Sequence, residues 1–187
     1  MKRTTVLTTF LLVAAAALVV VAAAAGRGGP GNANKGKNKR ATAAVTVFDL
    51  RLEPKQEVPR IQGLRAHADG NLTLDVTRDT SGAITSGKAV FYFNYDFPGS
   101  VTIAGLHVHL GAKKTNGSIV IDSGIASFTD ADGDGNVTAI VPSVTPTLLQ
   151  AILDKPRDYY VNLHTSVNAN GAMRDQLETS KKRKHDD

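Results

Sequence analysis

The chain of 187 residues contains no cysteine. That absence excludes a small disulfide-stapled scaffold, a thiol nucleophile, paired-cysteine metal sites and a lipid-modified cysteine anchor, so an exported form must be held by its core alone. Also missing are a His-Glu-X-X-His zinc motif, a serine nucleophile elbow, a phosphate-binding glycine loop and any internal repeat. Basic residues are scarce where a folded body is expected. Between residues 43 and 178 there are 11 Lys and Arg against 15 Asp and Glu, although the whole chain carries a formal charge of +5. The basicity belongs to the ends, and a nucleic-acid partner is not expected.

Both ends differ from the middle. Residues 1–25 carry Lys2 and Arg3, then an uncharged apolar run ending in Ala22 to Ala25, the pattern of a secretory signal peptide cleaved before Gly26. The run is also long enough to span a bilayer, so an uncleaved N-terminal anchor is the alternative, and the only membrane attachment expected. Residues 26–42 are glycine-rich and basic and read as a flexible tether. Residues 179–187 hold Lys181-Lys182-Arg183-Lys184-His185 without apolar support and read as a charged disordered tail. Between them, residues 43–178 make one domain with length for a sizeable core.

Alternation of apolar and polar residues recurs along that domain. Val45, Val47 and Leu50 to Leu52 mark a first strand, and Leu72, Leu74 and Val76 a second. Asp79-Thr80-Ser81-Gly82 turns into Ile84 to Phe97, where Phe91, Phe93, Tyr95 and Phe97 share one face as a core spine. Pro98-Gly99 then reads as closing a hairpin onto Val101 to Leu110, followed by short strands at Ser118 to Asp122, Ile125 to Phe128 and Val137 to Val141. Thr145 as N-cap and Pro146 at the first helical position open one short helix that ends before Pro156. Tyr159 to Thr165 and Ala172 to Glu178 form a last hairpin across Asn168 to Gly171. The fold class expected is all-β, an antiparallel β-sandwich or Greek-key barrel with one crossover helix.

Three of five histidines fall inside strand-like runs. His107 and His109 share one side of their strand, and Tyr160, Asn162 and His164 share one side of another, so three imidazoles converge on one polar face if the strands are neighbours. Two imidazoles two residues apart on a strand suit copper or zinc, with His164 as third ligand; the competing reading is a hydrogen-bonded polar network. Asp130-Ala131-Asp132-Gly133-Asp134 matches the first half of a calcium loop, but position twelve is Val141 rather than a bidentate glutamate. Calcium through Asp130, Asp132 and Asp134 therefore ranks behind copper or zinc, and a tight turn explains the same residues.

Glu57-Val58-Pro59, Gly105-Leu106-His107-Val108-His109-Leu110-Gly111, Asn116-Gly117, Tyr159 to Thr165, Asn170-Gly171, Arg174 and Gln176-Leu177 together resemble the CHRD domain family. The family is named for repeats in chordin and occurs in many exported bacterial proteins. The resemblance implies an extracellular β-sandwich module without a defined reaction. This chain departs from the family pattern with Ala172 in place of Glu and Asp175 in place of Gly. A shorter likeness, Gly-X-His-Val-His, is similar to the copper-ligand strand of copper/zinc superoxide dismutases, whose disulfide cysteines and remaining ligands have no counterpart here.

These readings converge on a secreted, extracellular or cell-envelope protein that is not an enzyme and needs no cofactor, acting as an interaction or structural module toward an extracellular protein or a cell-envelope polymer. Its polar network comprises His107, His109, Asn162, His164, Arg174 and Gln176. The alternative is a copper- or zinc-binding protein that uses His107, His109 and His164.

Overall fold

The computed structural model describes residues 40–178, so the expected leader, most of the tether and the charged tail lie outside the described residues. Nine strands and one short helix follow one another: β1 (Thr42–Leu52), β2 (His67–Arg78), β3 (Ile84–Asp96), β4 (Val101–Leu110), β5 (Ile119–Asp122), β6 (Phe128–Asp130), β7 (Asp134–Val141), α1 (Pro146–Asp154), β8 (Tyr159–Thr165) and β9 (Met173–Gln176). They form two antiparallel sheets packed together as a sandwich that does not close into a barrel. The first sheet has the order β1-β2-β3-β7, and the second β5-β4-β8-β9, with β6 also pairing β4.

The core lies between the sheets and follows from the alternation. Register places Phe48, Leu72, Phe91 and Ala139 in one row across the first sheet, all buried. The next row is Leu50, Gly70, Phe93 and Val137. A Cβ on Gly70 would collide with Tyr92 O and the Phe93 backbone before reaching the Phe93 ring, so glycine there lets β2 approach β3 closely. From the second sheet, Ile103, Leu106, Val108, Val161, Leu163 and Met173 are completely buried and join the same core. Each such side chain contributes about 1.5–3 kcal/mol by leaving water. Helix α1 begins as expected, with Thr145 accepting from the Leu148 N–H, and buries Leu149 and Ile152.

Three elements differ from the sequence reading. Pro98-Gly99 does not close a hairpin: β3 is flanked by β2 and β7, so the chain leaves the first sheet at Phe97 and enters the second at Val101. The signal for a hairpin and for a sheet change is the same, and the end of β3 is fixed instead by Phe97 N–H donating to Gly133 O. The strand expected at Ile125 to Phe128 lies at Phe128–Asp130. Asp134, Gly135 and Asn136 belong to β7, because they pair with Asp96, Tyr95 and Asn94 along the full edge of β3. Cross-strand pairing there overrides turn propensity.

Candidate metal centre

Strands β4 and β8 are neighbours, the condition on which convergence of the histidines depended. A β-bulge between Ile103 and Gly105 sets the phase of β4. Ile103 and Leu106 both face the core, while Gly105, His107 and His109 face away from it. Register puts His107 opposite Asn162, His109 opposite Tyr160 and Gly105 opposite His164. Gly105 matters because a Cβ there would stand 2.7 Å from the His107 ring. The missing side chain is what lets the His107 ring lie over β4 and pack tilted against His164, 4.7 Å between centroids.

The polar face is not open. Loops on either side cover it, and His109 and His164 are buried while His107 keeps a small exposed edge. The Nδ1 atom of His109 lies 3.0 Å from Gly117 O, and that of His164 3.0 Å from Ala169 O. A carbonyl oxygen only accepts, so each Nδ1 carries the hydrogen and each Nε2 presents a lone pair. Those two Nε2 atoms face each other at 3.3 Å. His107 is turned the other way: its Nε2 lies 3.4 Å from Asp122 Oδ1, and its Nδ1 is buried without a hydrogen-bond partner. One nitrogen from each ring falls within 4.8 Å of the others, the one such grouping of potential metal ligands among the described residues.

Electrostatics favour the neutral rings that a metal requires. Burial lowers the His107 pKa, with His164 adding to the effect; burial likewise lowers His109 and His164 against the opposing carbonyl hydrogen bonds. Tyr160 stacks on His109, with ring centroids 4.9 Å apart and 10° between planes. On its ring also lies the Arg174 guanidinium, 4.3 Å from the centroid.

The rest of the expected network adjoins the histidines through Tyr160 and bonds to the covering loops. Arg174 Nε donates to Gln56 O at 2.8 Å, and its Nη1 donates to Thr115 O and Asn116 Oδ1. Gln176 Nε2 lies 2.8 Å from the carbonyl oxygens of Gly111, Arg157 and Tyr159. These side chains pin the covering loops to β9. Asn162 sits between the two groups with a buried, unpartnered Oδ1, and Glu57 Oε1 is likewise buried and unpartnered. Burial raises the Glu57 pKa to about 7, against the lowering pull of Arg174. Asp175, at the position where the family has Gly, accepts the Arg51 N–H at 2.9 Å and joins the end of β1 to β9.

The acidic loop from Asp130 to Asp134 is held by local hydrogen bonds. Asp130 Oδ2 accepts the Tyr95 hydroxyl at 2.7 Å, Asp130 Oδ1 the Gly133 N–H and Asp132 Oδ1 the Asp134 N–H, so the segment is a turn between β6 and β7. That bond lowers the Asp130 pKa, while burial foremost raises that of Tyr95. His67, in β2, stands beside Asp69 and apart from the cluster. Sequence reasoning missed Asp122, which supports His107, and read Gly105 and Tyr160 as part of the pattern without a role at the histidines. The bulge and the β4–β5 register that bring them in leave no mark in the alternation.

Fold and site together define an antiparallel β-sandwich module carrying a buried triple-histidine cluster on the outer face of one sheet. The family model of the CHRD domain matches residues 48–177, and the chain belongs to the CHRD domain family. Searches of curated proteins and of solved structures return no match. Family and fold do not assign an activity, which must come from the site.

Proposed function

We propose that this CHRD domain is an exported, non-enzymatic module that holds one copper or zinc ion through His107, His109 and His164. The observation that carries the reading is the 3.3 Å approach of two bare imidazole nitrogens whose rings are already fixed by hydrogen bonds on the other side. Two nitrogens bound at about 2.0–2.1 Å to a tetrahedral ion stand about 3.3 Å apart. Without an ion, two lone pairs at that distance repel; a proton between them needs a charge in a buried site that disfavours one. His107, which has one nitrogen within 4.8 Å of the others, completes the set; its Nδ1 is buried without a partner and its Nε2 lies beside Asp122.

The supporting groups follow the pattern of metal sites, in which each ligating imidazole gives its second nitrogen to a carbonyl or carboxylate. An all-nitrogen set suits copper and zinc, and copper(II) binds the more tightly at equal geometry. Bound there, the ion supplies positive charge and Lewis acidity between the rings, while the protein's own groups orient the ligands. Export is supported by the leader-like residues 1–25. Among the described residues no helix is long and apolar enough to cross a membrane.

Metal analysis of untagged full-length protein, dialysed after exposure to copper or zinc, tests the reading. About one ion per chain is expected, with a rise in melting temperature on loading. Absence of retained metal together with an unchanged melting temperature overturns it.

A further inference from the structure

A second site is lined by Arg174 and Gln176 of β9 and does not rest on the metal reading. A cleft of about 640 Å³ is lined by Lys55, Arg60, Lys113, Lys114 and Arg174 together with Glu53, Glu57 and Gln176. Five of the 11 basic residues between positions 43 and 178 thus meet at one place on a domain that is acidic overall. Lys55 is paired with Glu53 at 2.8 Å, but Arg60, Lys113 and Lys114 are exposed and form no ion pair among the described residues. Like charges left unneutralised side by side raise the local potential and attract an anion.

The cleft is built rather than incidental. Arg174 ties one wall through Gln56 O and the other through Thr115 O and Asn116 Oδ1, and Asn116 Nδ2 donates across to Val58 O. The second wall is a tight turn, Thr115 N–H to Ala112 O at 3.0 Å, with Lys114 held at φ +69°. A non-glycine residue rarely adopts that conformation, and its persistence marks a turn whose shape is imposed by its surroundings. Both lysines of the turn stand exposed at its tip.

The lining also selects among anions. Beside the cations stand the Glu53 carboxylate, already paired with Lys55 but with further acceptor capacity, and Gln176, whose amide nitrogen is engaged elsewhere; these acceptors suit a ligand that offers hydroxyl donors as well as negative charge. Inorganic polyphosphate has no such donors. A sugar acid presents carboxylates to Lys113, Lys114 and Arg60 and hydroxyls to the acceptors. We infer that the cleft between the 53–60 segment and the 112–116 turn binds a carboxylated polysaccharide, with Arg60, Lys113 and Lys114 as the carboxylate-binding residues.

The test is titration of the full-length protein with oligogalacturonate, alongside uncharged dextran and polyphosphate. Native protein is expected to bind oligogalacturonate with salt-dependent affinity and more tightly than polyphosphate. The variant Arg60→Gln/Lys113→Gln/Lys114→Gln should bind at least about tenfold more weakly, whereas Lys181→Gln/Lys182→Gln/Lys184→Gln, which removes as many charges from the tail, should change affinity less than about threefold. Because all three cleft residues are exposed, both variants should melt with the native protein; if the triple variant does not, Lys113→Gln/Lys114→Gln carries the comparison. Metal content, measured in the same samples, separates failure here from failure of the histidine site. No binding of oligogalacturonate, equal or tighter binding of polyphosphate, binding of dextran, or an unchanged affinity in the cleft variants overturns the inference.

Discussion

At the β9 end of the polar face, Arg174 and Gln176 direct their donors into backbone carbonyls of the covering loops. At the β4–β8 end, His109 and His164 turn bare nitrogens toward each other and His107 keeps one with no partner. Both ends arise from the same alternation of polar and apolar residues, on adjacent strands of one sheet. The difference lies in how far the groups are met: Arg174 and Gln176 have partners, although Glu57 Oε1 beside Arg174 has none, whereas the histidine nitrogens that face inward have none at all. A polar group whose hydrogen bonds are complete holds structure, whereas buried groups with unused lone pairs aimed at a common point have capacity for a ligand.

The largest effect should come from the Arg174 end. Arg174→Met removes a buried charge-assisted fork and leaves the Gln56 and Thr115 carbonyls and Asn116 Oδ1 unmet, so stability in urea should fall by about 3–5 kcal/mol. Metal retained by the folded fraction should stay within a few-fold of native. At the other end the pattern inverts: His164→Phe should weaken copper or zinc at least about 100-fold, a loss of about 2.7 kcal/mol, yet lower metal-free stability by only about 1–2 kcal/mol, since relief of the repulsive Nε2 contact offsets part of the lost Nδ1 bond to Ala169 O. A fall of several kcal/mol in the metal-free protein would erase the distinction between the two ends.

Smaller effects sharpen the same contrast. Asp122→Asn weakens the support of the His107 Nε2 and should reduce metal affinity about tenfold with little change in stability. Gly105→Ala pushes on the His107 ring and should act in the same direction.

The smallest effect is in pH dependence. The three imidazoles have lowered pKa values in the folded state, so the unfolded chain takes up more protons and metal-free stability should fall as pH drops below about 6.5. Glu57 has the opposite sign. Its folded pKa is raised to about 7, so its contribution is complete below the ordinary glutamate range and is lost as pH rises through 7. Glu57→Gln should therefore melt above the native protein at pH 8 and lose that advantage at pH 4.5. Equal shifts at both pH values would show that Glu57 stays charged.

Much of this arrangement was legible in the sequence because sheet geometry is periodic. Alternation places His107 and His109 on one side and groups Tyr160, Asn162 and His164 on another. The aromatic spine from Phe91 to Phe97 went to the core for the same reason. What alternation does not encode is which strands pair. The passage from one sheet to the other at Pro98-Gly99 looked like a hairpin, and only the register of β3 with β7 distinguishes the two. The bulge at Gly105 and the position of Asp122 across from His107 depend on that same long-range pairing, as does the division of the expected network into an Arg174 end and a histidine end.

X-ray absorption at the metal edge of copper- or zinc-loaded, untagged protein tests the central claim most directly. The account predicts a first shell that includes three nitrogen ligands at about 2.0 Å with the outer-shell scattering of imidazole, reduced in His164→Phe. A first shell without imidazole, or one unaltered by that substitution, would contradict it.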